Sequence, residues 1–100
     1  MLVRVAATKD VAIGQMRFVD VAGAKVSLAD ADGHVFAFDN ICTHQGCSLA
    51  GGELQGTTVT CPCHGSQFDV ASGAVLRGPA LRPVRCRSVQ IQGEDVLVEA

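Results

Sequence analysis

An all-β domain is what this sequence predicts, and three observations lead there. Apolar and polar residues alternate with period two in short runs; no window repeats apolar residues at i, i+3, i+4 and i+7 over three turns; and glycine or aspartate punctuates the runs. One hundred residues make a single domain, 1–100, which at this size buries roughly 60–70% of its accessible surface around one modest core. The expected body is a small sandwich or a partly open barrel.

The strands follow in order. MLVRVA (1–6), MRFVDVAG (16–23), AKVSLAD (24–30) and HVFAFD (34–39) each alternate and are each too short for a helix. Between the last two lies Asp30-Ala31-Asp32-Gly33, whose Asp-Gly pair tolerates the positive φ angles of a tight hairpin turn. SVQIQGEDVLVEA (88–100) reads as two strands joined around Gln92-Gly93-Glu94-Asp95. The stretch 40–83 breaks the rhythm, because it holds seven of the eleven glycines and all three prolines. Loops hung on short strands such as TTVTC (57–61) and GAVLR (73–77) are expected there.

Composition narrows the function classes. A chain that is 48% hydrophobic and 18% charged is neither disordered nor of low complexity. Its apolar runs are too short for a signal peptide or a membrane anchor, so the expected address is the cytoplasm. Net charge is −2, and the basic residues are scattered apart from a loose group at Arg77, Arg82, Arg85 and Arg87, expected to form a solvated face; nucleic acid is not an expected partner. His34, after the Asp-Gly turn, reads as a lone solvated histidine, and Cys86 as a small buried hydrophobe.

Four of the five cysteines fall between positions 42 and 63, in the runs CTHQGC (42–47) and CPCHGS (61–66). In a reducing compartment such clustering points to metal or redox chemistry before it points to a disulfide scaffold. Cys42-x-His44 lies sixteen residues before Cys61-x-x-His64, so two thiolates and two imidazoles come from two loops. They could bind tetrahedral zinc, or a two-iron cluster with both cysteines on one iron and both histidines on the other. Haem attachment is disfavoured, because Cys61-Pro62-Cys63-His64 is one residue short of Cys-x-x-Cys-His.

CTHQGC together with CPCHGS resembles the two cluster-binding boxes of Rieske iron–sulfur proteins, and the likeness extends from the strand-rich N-terminus to EDVLVE (94–99). The resemblance implies a [2Fe-2S] cluster with Cys42 and Cys61 on one iron, His44 and His64 on the other, and a disulfide between Cys47 and Cys63. It also implies an all-β fold of three stacked antiparallel sheets. A loop-rich cluster-binding subdomain, about 40–83, would sit at one end, covered by a proline loop, Arg77-Gly78-Pro79-Ala80.

Physical chemistry gives these positions work. Replacing two thiolates by neutral imidazoles removes negative charge from one iron, which should then be the one reduced, at a raised potential. Gly46 and Gly65 are expected to let backbone N–H groups approach the sulfurs. A Cys47–Cys63 bridge closes a loop of about 17 residues, worth roughly 3 kcal/mol by chain entropy. In the respiratory and photosynthetic members of the family, a serine matching Ser66 donates to a cluster sulfide and a tyrosine matching Phe68 donates to a cysteine sulfur. Here the second donor is missing, and a midpoint below the respiratory type is expected. Leu49, Pro79 and Ala80 are expected to form an apolar collar around the histidines as part of a landing surface.

The function these features imply is a one-electron carrier and not a catalyst. It resembles the small Rieske ferredoxins that take electrons from a flavin-dependent reductase and pass them to the terminal oxygenase of an aromatic-ring dioxygenase system. Cys47, Cys63 and Ser66 depart from those low-potential ferredoxins. They favour, as the alternative, a higher-potential carrier related to quinol-oxidising complexes. A non-catalytic small subunit of a reductase is a third reading, disfavoured because all four ligands are present.

Overall fold

The computed structural model describes residues 1–44 and 46–100. Among these residues eleven strands form three antiparallel sheets, as expected. The first sheet pairs β1 (Leu2–Ala7), β11 (Asp95–Glu99) and β10 (Val89–Gln92), with β11 in the centre. The second runs β2 (Met16–Val21), β3 (Ala24–Ala31), β4 (His34–Asp39) and β9 (Cys86–Arg87). The third is a meander of β5 (Glu53–Gln55), β6 (Thr58–Thr60), β7 (Gln67–Asp69) and β8 (Val75–Arg77). Two short 3-10 turns, Thr8–Asp10 and Leu49–Gly51, complete the described elements.

The second sheet lies between two cores, and the period of two shows how. Val26 and Leu28 of β3 and Ala37 of β4 pack with Val96 and Val98 of the first sheet. Ala29, Ala31 and Phe38 point the other way, into a core with Val59, Phe68 and Val70. Successive strand residues face opposite sides, so β3 is buried on both faces from Val26 to Ala31. The Asp32-Gly33 turn has φ of +55° and +89°, the left-handed pair a two-residue hairpin requires.

Strand β4 delivers the chain at Asp39 into the first cysteine run, and the second run connects β6 to β7. Among the described residues no helix is long and apolar enough to cross a membrane.

Candidate metal centre

The two cysteine runs fold into loops with the same backbone closure. In the first, the Cys42 N–H donates to the Cys47 carbonyl at 2.9 Å, and the Gly46 N–H donates to the Cys42 carbonyl at 2.9 Å. In the second, the Cys61 N–H donates to the Ser66 carbonyl at 2.8 Å and the Gly65 N–H to the Cys61 carbonyl at 3.3 Å. Gly46 and Gly65 have φ of +76° and +77°, the conformation this closure needs. Their own N–H groups serve these carbonyls and so fix the turn of each loop.

Closure sorts the side chains by environment. The Cys42 and Cys61 side chains sit in the core at 2% and 4% residue exposure, packed with Leu49, Val59 and Phe68. His44 and His64 lie exposed on the surface, their ring centroids 5.3 Å apart and edge to face. Cys47 and Cys63 are joined by a disulfide, with Cα atoms 6.4 Å apart, and Cys42 and Cys61 lie outside it. The Cys61 sulfur is within 4.8 Å of both disulfide sulfurs. The bonded pair has no thiolate to offer a metal, so it packs against Cys61 and is not itself a candidate ligand.

A single zinc ion would gather both thiolates and both imidazoles around one point in one environment. Here sulfur is inside and nitrogen outside. That arrangement suits a group held by sulfur at its buried end and by imidazole at its solvent edge.

Hydrogen bonds bring a third loop to both boxes. Ser66 is buried, and its Oγ accepts the Ala80 N–H at 3.0 Å; the Thr43 hydroxyl donates to the Arg82 carbonyl at 2.7 Å. Pro79 is exposed and follows a cis peptide bond from Gly78. Leu49 and Ala80 are buried, at 0% and 3% exposure, so they belong to the core and not to an exposed collar. Leu81, 93% exposed, stands next to Ala80 on the surface. Phe68 is fully buried in the same core as Cys42 and Cys61.

The remaining expectations divide. His34 is exposed on β4, as expected of a solvated histidine. Cys86 is half-buried against the core with its sulfur 3.6 Å from the Val70 carbonyl oxygen, and burial pushes its thiol up, helped by Asp69 and Asp39. Arg77, Arg82 and Arg85 are exposed, but the Arg87 side chain is 8% exposed and its Nε donates to Asp39 Oδ1 at 2.9 Å. Arg87 is thus a structural ion pair at the junction of β4 and β9, not part of a solvated face.

Asn40 is the residue that sequence reasoning missed. Its buried Oδ1 accepts from the Ser27 hydroxyl at 2.7 Å and from the Ala50 N–H at 3.0 Å, and its Nδ2 donates to the Ser48 hydroxyl at 3.0 Å. The amide fastens both ends of the first loop to β3. Phe36, Phe38 and Asn40 share one face by the period of two, so HVFAFDN placed this amide toward the core and offered a signal.

Comparison with known proteins agrees with this geometry. The family model for the Rieske [2Fe-2S] domain matches residues 1–90. The ferredoxin component of the naphthalene 1,2-dioxygenase system of Pseudomonas aeruginosa is 33% identical over 86 residues, spanning 86% of this chain and 83% of that one. The ferredoxin of carbazole 1,9a-dioxygenase from Nocardioides aromaticivorans IC177 superposes with a TM-score of 0.94 at 32% identity, over 98% of this chain and 96% of that one. A ferredoxin solved in complex with its oxygenase in a carbazole 1,9a-dioxygenase system gives 0.92 at 30% identity, over 97% and 91% of the two chains. With buried thiols, surface imidazoles and a family match over most of its length, this chain belongs to the Rieske [2Fe-2S] domain family.

Proposed function

We propose that this protein is a cytoplasmic one-electron carrier that receives electrons from a flavin-dependent reductase and passes them to a terminal oxygenase of the aromatic-ring dioxygenase type. The observation that carries the reading is the division of the donor set: thiols of Cys42 and Cys61 in the core, imidazoles of His44 and His64 adjacent at the surface. Relatives named as ferredoxin components of dioxygenase systems support an oxygenase as acceptor, and a similar ferredoxin has been solved in complex with its oxygenase.

When bound, a [2Fe-2S] group supplies reversible one-electron storage, with the electron favoured on the imidazole-ligated iron because that iron carries less negative ligand charge. The chain's own residues do the rest. Cys42 and Cys61 would hold the inner end from a core that excludes water. His44 and His64 would hold the outer end and place the exit at the surface, so a partner would need to approach only two ring edges. Ser66, fixed by Ala80, offers a buried hydroxyl beside the thiol ligands, and a bond from it to a sulfur of the group would favour the reduced state. The 77–82 loop, tied to Ser66 and Thr43, acts as a cover that includes Pro79.

A second reading keeps the cofactor and raises the potential. The Cys47–Cys63 disulfide and the buried Ser66 favour a carrier that works in quinol-linked chains. A spectroscopic redox titration of the purified holoprotein separates the two. A midpoint well below zero against the hydrogen electrode supports the oxygenase chain, and one well above it supports quinol chemistry. A colourless protein with stoichiometric zinc would overturn both.

A further inference from the structure

Beside the first cysteine loop lies a groove of about 450 Å³ whose walls include Lys25, Asp39, Ile41, Thr43, Arg85 and Arg87. Thr43 is the neighbour of His44, and its hydroxyl bond to the Arg82 carbonyl brings a further cation to the rim. Arg87 is neutralised by Asp39. Lys25, Arg82 and Arg85 are exposed and enter no ion pair among the described residues. The nearby Asp20 faces Lys25 across β2 and β3, and its carboxylate accepts the Gly23 N–H at 2.8 Å. Four cations therefore meet two carboxylates at this end of the molecule. The floor is apolar, with Ile41 42% exposed.

The opposite end carries the opposite sign. Asp30 and Asp32 frame the β3–β4 turn, and Thr8, which lines the same cleft as Asp30, donates its N–H to the Glu94 carbonyl at 2.8 Å. Asp10 and Asp95 flank that contact, the first bonded to the Ala7 N–H and the second paired with Arg4. Half of the ten acidic residues thus gather there, against only Arg4 and Lys9. The run of β3 from Ala24 to Ala31 separates the two ends by about 23 Å, at roughly 3.3 Å per residue. A net charge of −2 conceals a dipole whose positive end lies beside the histidines.

We propose that the Lys25–Arg82–Arg85 groove docks an acidic protein surface, whose carboxylates face the three cations while an apolar side chain seats on Ile41. This rests on the electron-carrier reading and specifies the chemistry of the partner. Complementary charge next to the electron exit steers encounter and orients the histidine edges toward the acceptor, an effect that salt screens.

The test uses ferricyanide as an anionic probe and one pair of surface variants. One electron passes from the reduced holoprotein to ferricyanide, giving ferrocyanide, with no bond made or broken. Arg85→Glu and Lys9→Glu change net charge equally, but only the first lies in the groove. The expected second-order rate constant falls as ionic strength rises; Arg85→Glu lowers it about three- to tenfold at low salt, and Lys9→Glu by less than about twofold. A rate that climbs with salt, or equal effects of the two variants, overturns the proposal. A second readout needs no cluster: at pH 7 and low salt the protein should be retained on a cation exchanger despite its negative net charge. Retention should be lost in Arg85→Glu and kept in Lys9→Glu; the reverse pattern or no retention overturns it too. A preparation without a reducible chromophore would sink the electron-carrier reading alone, and chromatography would still decide the groove.

Discussion

The two cysteine loops have one backbone closure and two different foundations. The Cys61–Ser66 loop joins β6 to β7, which pair in register at Thr60 and Gln67, with the Gln67 amide donating to the Thr60 hydroxyl at 3.2 Å. Among the described residues, the Cys42–Cys47 loop has no such ladder beneath it. The Ile41–Ser48 bridge closes its base, and the Asn40 amide binds Ser27, Ser48 and Ala50 around it. One loop is held by strand pairing and the other by a buried polar network. The disulfide then ties the less supported loop to the better supported one. The difference teaches that equal turn geometry can rest on unlike supports: a buried polar network that is satisfied now becomes costly once one member is removed.

The largest effects come from cutting the connections between the loops. Gly52, just after the first loop's 3-10 turn, lies so close to β6 that an added Cβ would sit 1.9 Å from the Thr60 carbonyl oxygen. Gly52→Ala forces apart the segments that carry the two boxes, and denaturant unfolding should show a loss of about 3 kcal/mol. Replacing Cys47 and Cys63 together by alanine should lose a similar amount, roughly 3 kcal/mol by chain entropy. The damage should concentrate in the first loop, read as faster hydrogen exchange at Gly46 than at Gly65.

Asn40→Ala comes next. It leaves the buried Ser27 hydroxyl and the Ala50 N–H without their acceptor and should cost about 2 kcal/mol. Exchange protection should fall around 42–50 and hold around 61–69. Equal loss in both loops would show that the amide supports the whole core and not one foundation. The smallest effect sharpens the comparison on the side of the second loop. Phe68 is fully buried in the same core as Cys42 and Cys61, and Phe68→Tyr adds a donor there. A charged acceptor makes such a bond worth about 1.5–3 kcal/mol, of which the part specific to the reduced state should raise the midpoint by some tens of millivolts. No rise in a titration would mean that the hydroxyl points away from the sulfurs.

The same contrast explains what could be read from the chain beforehand. The long strands β2, β3, β4, β10 and β11 were legible because one-residue alternation persists through them, and Asp32-Gly33 named its own turn. β5, β7 and β9 are only two or three residues long, too short for an alternation to show, and β9 exists only through its pairing with distant β4. At the site, residue types and spacing exposed the four candidate ligands and the boxes that carry them. Burial was harder to foresee. Leu49 and Ala80 have the same apolar character whether they line a landing surface or fill a core, and only the tertiary fold distinguishes the cases. Arg87 shows the same limit for charge, because its partner Asp39 is forty-eight positions away.

The central claim is that imidazole holds the outer end of the cofactor and thiolate the inner end. Pulsed electron paramagnetic resonance of the reduced holoprotein, carrying nitrogen-15 only in histidine, addresses it directly. The account predicts magnetic coupling to imidazole nitrogens from both His44 and His64, unchanged when the third histidine is removed by His34→Ala. A reduced protein with no histidine nitrogen coupling, or one whose coupling disappears with His34, would contradict it.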